Sequence, residues 1–303
     1  MKSTASILES LNLPARDAYD LPASRKRFAD GGQYRIEIPS CEGPRVMETV
    51  IAAAREQSVT VHRVSQGSGV MLQTDDEIKR MVALGREHAI EVCLFVGPRA
   101  NWDVGVQAAS VAGRVLGSSL RGVDQLIYGL DDIRRAAELG IRSVLVGDVG
   151  QLHVLGRMKA AGDLPADLVI KISVTLAAAN PATARVLEDL GATSINLPVD
   201  LSLPQIAAIR QAIDAAIDFY IEAPDDFGGT VRHYETGELV RVASPVYLKY
   251  GLRNAPNIYP CGLHLESTAV ALSRERVRRA AIGLALLRRY NPDAVASPVA
   301  MRV

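Results

Sequence analysis

Short runs of β-branched and aromatic residues alternate with longer Ala-, Leu- and Arg-rich runs along most of the chain. The short runs predict strands at Tyr34–Ile38, Val59–Val64, Glu91–Val96, Gln125–Tyr128, Ser143–Gly147, Leu168–Ser173, Ser194–Leu197, Asp218–Glu222 and Val246–Tyr250. Helical segments with their own start and stop signals lie between them. TDDEIKRMVALGREH opens on Thr74 with Glu77 three positions on, a capping box. DDIRRAAELG and PATARVLEDLG end on Gly140 and Gly191, and the second begins with Pro181 in its first turn. Regular β–α alternation implies parallel strands joined by right-handed crossovers. Its unbroken succession favours an α/β fold of the closed (β/α)8 TIM-like type over an open sheet. Nine strands is one too many, so either the short Gln125–Tyr128 or Val246–Tyr250 should fall outside the ring. Polar residues 1–33 read as an N-terminal extension packed on the outside, 34–303 as a single barrel domain, and SRERVRRAAIGLALLRRYNP as a long C-terminal helix stopped near Pro292.

Alternation within each strand separates the faces. In a barrel the helix-facing set is apolar, so the intervening residues point inward. Ile36 and Ile38 then place Arg35 and Glu37 inside. Val59 and Val61 do the same for Thr60 and His62, and Ile170 and Ile172 for Lys171 and Ser173. Ile195 and Leu197 turn Asn196 inward, Phe219 and Ile221 turn Tyr220 and Glu222 inward, and Val246 and Leu248 turn Tyr247 and Lys249 inward. Most of these polar residues fall near the C-terminal ends of their strands, the face on which barrel enzymes carry their chemistry. Two lysines and two carboxylates are costly to bury without a purpose.

Loops add candidates. The Gly-rich RVSQGSGV offers the backbone of Gly67 and Gly69 to an anion, or is a plain turn. Arg99 could clamp a carboxylate or phosphate bidentately. Asp148 is a site residue or an N-cap. Asp225, Asp226, Gly228 and Gly229 form a lid or anion nest. Cys261 and His264, with Glu266 nearby, are a thiol–base pair, half a metal site or ordinary packing.

Composition narrows the classes. The 303 residues carry 34 Lys+Arg against 34 Asp+Glu, with 48% hydrophobic and 22% charged, so the chain is globular rather than disordered. The neutral balance argues against a general nucleic-acid binder. No CxxC pair or disulfide framework arises from Cys41, Cys93 and Cys261. The N-terminus lacks the apolar core of a secretory signal, and no run is long enough to span a membrane. The expectation is a soluble, cytoplasmic protein.

NPATARVLEDLGATSINLPVDLSLPQIAAIRQ resembles the peptidase U32 (collagenase-like) family in its Asn180 helix start, its Leu190–Gly191 stop, its short strand at Ser194–Leu197 and the Leu201–Leu203 helix start. YRIEIPSCEGPRVMETVIAAAREQ loosely resembles the family's first βα unit. The resemblance implies a barrel. The cysteine cluster that holds an iron–sulfur centre in several branches is missing, so no such cluster is expected.

Four functions remain open. The first is a lyase or aldolase for a small anionic carbonyl compound. In it Lys171 forms a Schiff base beside Lys249, with Glu222 or Glu37 and His62 as acid–base groups. Arg99, Asn196, Ser173, Gly67, Gly69 and Asp226 then bind substrate. The second is a divalent-metal enzyme with Glu37, His62, Asp148 and Glu222 as ligands. The third is a U32-like peptidase or hydrolase, and the fourth a non-catalytic binding protein. The partner expected is a small molecule, with no cofactor required outside the metal reading. The Arg-studded C-terminal helix packs on the barrel or on a second subunit.

Overall fold

A computed structural model describes residues 6, 10, 20–102 and 105–298, without the side chains of 114 and 115. Eight parallel strands close into a ring in chain order: β1 (Tyr34–Pro39), β2 (Arg63–Gln66), β3 (Glu91–Phe95), β4 (Ser143–Val146), β5 (Val169–Ile172), β6 (Ser194–Asn196), β7 (Ala216–Glu222) and β8 (Val246–Tyr250). Each is followed by a helix: α1 (Pro44–Glu56), α2 (Asp75–His88), α3 (Gly122–Glu138), α4 (Val149–Ala161), α5 (Pro181–Asp189), α6 (Leu203–Ala212), α7 (Thr236–Ala243) and α8 (Glu266–Tyr290). The fold is a (β/α)8 barrel. Gln125–Tyr128, expected as a strand, lies inside α3, and β8 closes the ring against β1. Four residues without flanking β-branched neighbours are too short to resist the amphipathic pattern running on to Glu138.

The helices start and stop on the expected chemistry. Thr74 and Glu77 form both halves of the α2 capping box, and Asn180 Oδ1 accepts from Thr183 N at 2.9 Å ahead of Pro181. Asp148 is the N-cap of α4, accepting from Gln151 N at 2.8 Å. Gly191 leaves α5 with φ +110°, and its neighbour Leu190 carries a carbonyl only 2.3 Å from where a Cβ on Gly156 would stand. Glycine at 156 therefore lets α4 approach the end of α5.

The outward strand faces, from Ile36 and Ile38 through Ile170 and Ile172 to Val246 and Leu248, join the helices in one continuous apolar layer. Each such side chain contributes about 1.5–3 kcal/mol on burial. Inside the ring Cys93, Phe95 and Leu145 form an apolar cluster of their own, and Val199, Tyr220 and Ala223 form another at the ends of β6 and β7. The rest of the interior is polar.

Residues 20–33, the described part of the expected N-terminal extension, cross the bottom of the barrel. Ser24 N donates to Arg241 O at 2.8 Å and Ser24 Oγ to Ser244 O at 2.5 Å. Apart from residues 6 and 10, positions 1–19 lie outside the described residues. The tail returns to the same floor, where Ser297 N donates to Tyr34 O at 3.0 Å. At the opposite end, the chain after β8 folds over the mouth. Cys261 N donates to Ser68 Oγ at 2.8 Å, and Tyr259 OH donates to Ser40 Oγ at 2.5 Å. No described helix is long and apolar enough to cross a membrane.

Candidate active site

Ladder register sets which side chains enter the barrel. Glu37 lies opposite Arg63 on one side and Lys249 on the other, Leu145 pairs with Lys171, and Asp218 pairs with Asn196 and Tyr247. Three cations and three carboxylates meet inside. Lys171 Nζ donates to Glu37 Oε2 and lies 3.1 Å from Asp218 Oδ1. Arg63 reaches Glu91 Oε1 at 2.7 Å, Asp218 Oδ1 at 2.7 Å and Glu37 Oε2 at 3.3 Å, with its guanidinium 3.5 Å above the Tyr247 ring. Lys249 Nζ is 3.6 Å from Glu37 Oε1. Ser65 Oγ donates to Glu37 at 2.6 Å, and Ser194 Oγ donates to Asp218. Burial alone pushes the Glu37 carboxyl up. The Lys171 ammonium, then Lys249 and Arg63, overcome this and hold it well below the carboxylate range. Glu91 is likewise held down: burial pushes its carboxyl up, but Arg63 together with hydrogen bonds from Ser143 and Tyr247 outweighs this.

The two inward lysines differ. Lys171 is fully buried, between two carboxylates that belong to different strands. A Schiff base there would require breaking both pairs. Lys249, nearer the mouth, touches one carboxylate at long range. Its Nζ sits 4.0 Å over the Tyr220 ring, and with the Asn196 amide turned so that both its ends find partners, Nζ donates to Asn196 Oδ1 at 2.9 Å and the amide nitrogen donates to Asp218 O at 3.2 Å. Ser173 lies at the top of β5 and accepts from Thr175 Oγ1 at 2.9 Å.

Two expected acid–base groups are elsewhere. His62 precedes β2, and because Glu37 pairs with Arg63 the inward positions are Arg63 and Ser65. The valines used to set the phase, Val59 and Val61, come before the strand. His62 Nδ1 accepts from Ile36 N at 3.0 Å and its Nε2 faces Ser297 O at 2.9 Å, on the barrel floor. Glu222 follows a bulge that shifts the β7–β8 register after Tyr220. One extra residue turns it outward. There it meets His233 Nε2 at 3.2 Å, Arg253 N at 3.1 Å and Arg279 of α8 at 3.6 Å.

The glycine loop is also already occupied. Gly67 N and Ser68 N donate to the Glu42 carboxylate at 2.8 and 3.0 Å, and Gly69 N donates to Gln66 Oε1 at 3.0 Å. The anion this loop cradles is the protein's own, and desolvation raises its carboxyl. Arg99 braces the same loop, donating to Gly67 O at 2.6 Å while stacked 3.8 Å from both Phe95 and Trp102. Burial pushes it down to about 10. Asp226 is exposed on the turn after β7 and does not join the cluster. Burial pushes the Cys261 thiol up to about 11, away from thiolate chemistry. Among the described residues no group of three or more His, Cys, Asp or Glu side chains is close enough to hold a metal ion.

Arg63, Glu91 and Asp218 complete the network without having been singled out from sequence. Asp218 was legible, because it shares the phase of Tyr220 two residues on; Arg63 was not, because the strand begins with it. A cleft of about 540 Å³ between Val82, Arg86, Glu91, Gly140 and Asp167 opens at the floor, by the first residues of β3 and β4. Barrel enzymes carry their chemistry at the other end, toward which Lys249 stands as the last inward residue of β8.

Residues 123–223 match the model of Peptidase family U32. That stretch runs from α3 through β7 and contains Lys171, Asn196 and Asp218. No curated protein sequence matches the chain. Among solved structures, the U32 peptidase Mk0906 is 17% identical, with 76% of this chain and 97% of that one covered at a TM-score of 0.44. A CutC copper homeostasis protein from Streptococcus agalactiae is 14% identical over 71% of this chain and 98% of that one, at 0.46. A thiamine phosphate pyrophosphorylase from Pyrococcus furiosus is 12% identical over 84% and 98%, at 0.45.

Proposed function

Taking a U32-matched barrel as premise, we infer that the chain is an enzyme acting at the C-terminal mouth on a small anionic carbonyl compound by lyase-type chemistry. The observation that carries this reading is Lys249. It is a buried ammonium at the last inward position of β8. It has three N–H donors, of which Asn196, with its amide oxygen turned toward the lysine, takes one at 2.9 Å and Glu37 approaches another at 3.6 Å. The remaining donor suits a substrate carbonyl oxygen. When a C–H bond beside that carbonyl breaks, the proton passes to solvent entering the mouth. When a C–C bond breaks, the departing carbon leaves as carbon dioxide or as a second carbonyl whose hydroxyl proton passes to solvent. In either case the electron pair moves into an enolate and charge gathers on the same oxygen. A fixed ammonium in a water-poor site stabilises that charge with no reorganisation.

The lower network positions the lysine. Glu37 stays ionised because three cations share it, and Lys171 holds Glu37 and Asp218 apart. Tyr220, whose phenol burial pushes up, stays protonated beneath Lys249. A hydrolase would use the same ammonium on a tetrahedral oxyanion, but neither Ser173 nor Cys261 is hydrogen-bonded to a histidine.

Deuterium exchange and bond cleavage, followed by NMR over a panel of small oxo-acids, test the reading. Wild type should exchange the proton beside the carbonyl of at least one member. Lys249→Met should lose this by about two orders of magnitude, the scale of one oxyanion donor, and Lys249→Arg should keep part of it. Turnover in Lys249→Met, or none in wild type across the panel, overturns the proposal. Borohydride with the same panel separates an electrostatic lysine, left unmodified, from one that forms an imine.

A further inference from the structure

Two tyrosines enter the barrel from neighbouring strands, Tyr220 from β7 and Tyr247 from β8. Tyr247 is occupied at the floor, where its hydroxyl donates to Glu91 at 3.0 Å and accepts from Arg35 at 2.9 Å. Tyr220 stands one layer higher, directly opposite Lys249 in the β7–β8 ladder. Its hydroxyl has no hydrogen-bond partner among the described residues. Tyr250 shares that lack, but it faces the helix layer, with its oxygen sealed against Gly283 of α8. The Tyr220 oxygen is not sealed, and the residue keeps 6% of its surface exposed.

The ring itself is held. Val199 and Ala223 pack it, Phe227 lies 6.2 Å away and nearly parallel, and the Lys249 ammonium sits 4.0 Å from its centre. A hydroxyl on a fixed ring has its direction set in advance. Burial keeps the phenol protonated, so it offers a proton and seeks an acceptor. With the ammonium over the face and the hydroxyl on the edge, the two donors stand roughly 5 Å apart. Two oxygens on adjacent carbons bridge such a gap, each about 2.8 Å from its donor. A carboxylate oxygen is the stronger acceptor for the phenol, since charge-assisted hydrogen bonds exceed neutral ones.

We propose that Tyr220 reads the substrate class: its hydroxyl donates to a carboxylate oxygen on the carbon next to the carbonyl that Lys249 holds, so that the mouth takes a 2-oxo acid. This rests on Lys249 binding the carbonyl as argued above, and adds the spacing of the two oxygens and the residue that selects it.

Calorimetric titration with oxalate, whose oxygens lie on adjacent carbons, and with malonate, in which a methylene separates them, tests this without turnover. Wild type should bind oxalate the more tightly. Tyr220→Phe keeps the ring and its contact with Lys249 and removes only the hydroxyl. It should weaken oxalate by about tenfold, the scale of one hydrogen bond to a charged group, and malonate little. The ligand-free melting temperature should stay at the wild-type value, because the hydroxyl holds nothing in the free protein. On the oxo-acid panel the same variant should raise KM for 2-oxo acids and leave 3-oxo acids unaffected.

Oxalate affinity unchanged in Tyr220→Phe, or no oxalate binding by wild type, overturns the proposal. So does a lowered ligand-free melting temperature, which would make the hydroxyl structural. Equal losses for oxalate and malonate overturn the spacing. Tyr220-dependent oxalate binding with no exchange on any oxo-acid leaves the anion site standing and removes the carbonyl chemistry. Exchange that Tyr220→Phe performs as well as wild type does the reverse.

Discussion

Lys171 separates two carboxylates that would otherwise face each other inside a closed barrel. Lys171→Met removes the cation and leaves both behind, so the fold should lose about 3–5 kcal/mol in urea unfolding. Lys249→Met removes a longer-range contact and should cost less, while abolishing ligand chemistry. A Lys171→Met protein that unfolds like wild type but is inactive would restore Lys171 to the catalytic role. At this scale the sequence was informative about direction and silent about partners. The isoleucines flanking Lys171 fixed its inward face, yet no pattern could say that Asp218 would reach it across β6.

Among the elements, alternation failed in two strands and for two reasons. β2 begins later than its valines suggest, so His62 and Arg63 exchange faces. β7 contains a bulge, which leaves no trace in the period of DFYIEA. Elsewhere one straight strand beneath one apolar helix was enough, as in β1, β5 and β8. The bulge makes Glu222 a tie between β7, α8 and the His233 turn. Glu222→Gln should then lower stability by about 1–2 kcal/mol through weakened bonds to His233 and Arg279, with exchange on the oxo-acid panel unchanged. Loss of activity at full stability would place Glu222 in the chemistry after all.

Across the whole molecule, floor and mouth respond differently to pH. His62 accepts from Ile36 N through Nδ1 and donates to Ser297 O through Nε2, a pattern only the neutral ring can make. Desolvation lowers its pKa, and Arg35 adds to this. The unfolded chain therefore gains a proton near pH 6.5 that the folded chain refuses, so this stability is present above about 6.5 and is lost as pH falls below it. Glu37 and Glu91, held low, act in the same direction below about 4.5, while Glu42 and Asp132, raised by burial, act oppositely. The His62 contribution is best read by difference. His62→Asn keeps an acceptor where Nδ1 stands and should flatten the decline in melting temperature between pH 7 and 5.5; an unchanged slope would refute the assignment.

The internal charges also impose an order of synthesis. Glu37 waits 134 residues for Lys171, and Arg63 waits 155 for Asp218. A growing chain on the ribosome thus carries Glu37, Arg63 and Glu91, which pair only in part among themselves, long before Lys171 and Asp218 exist. Wrapping them in a dry core at that stage would bury charge incompletely paired. The first strands have every reason to stay hydrated, and the barrel to close as a late event, once β7, β8 and the returning tail have been made.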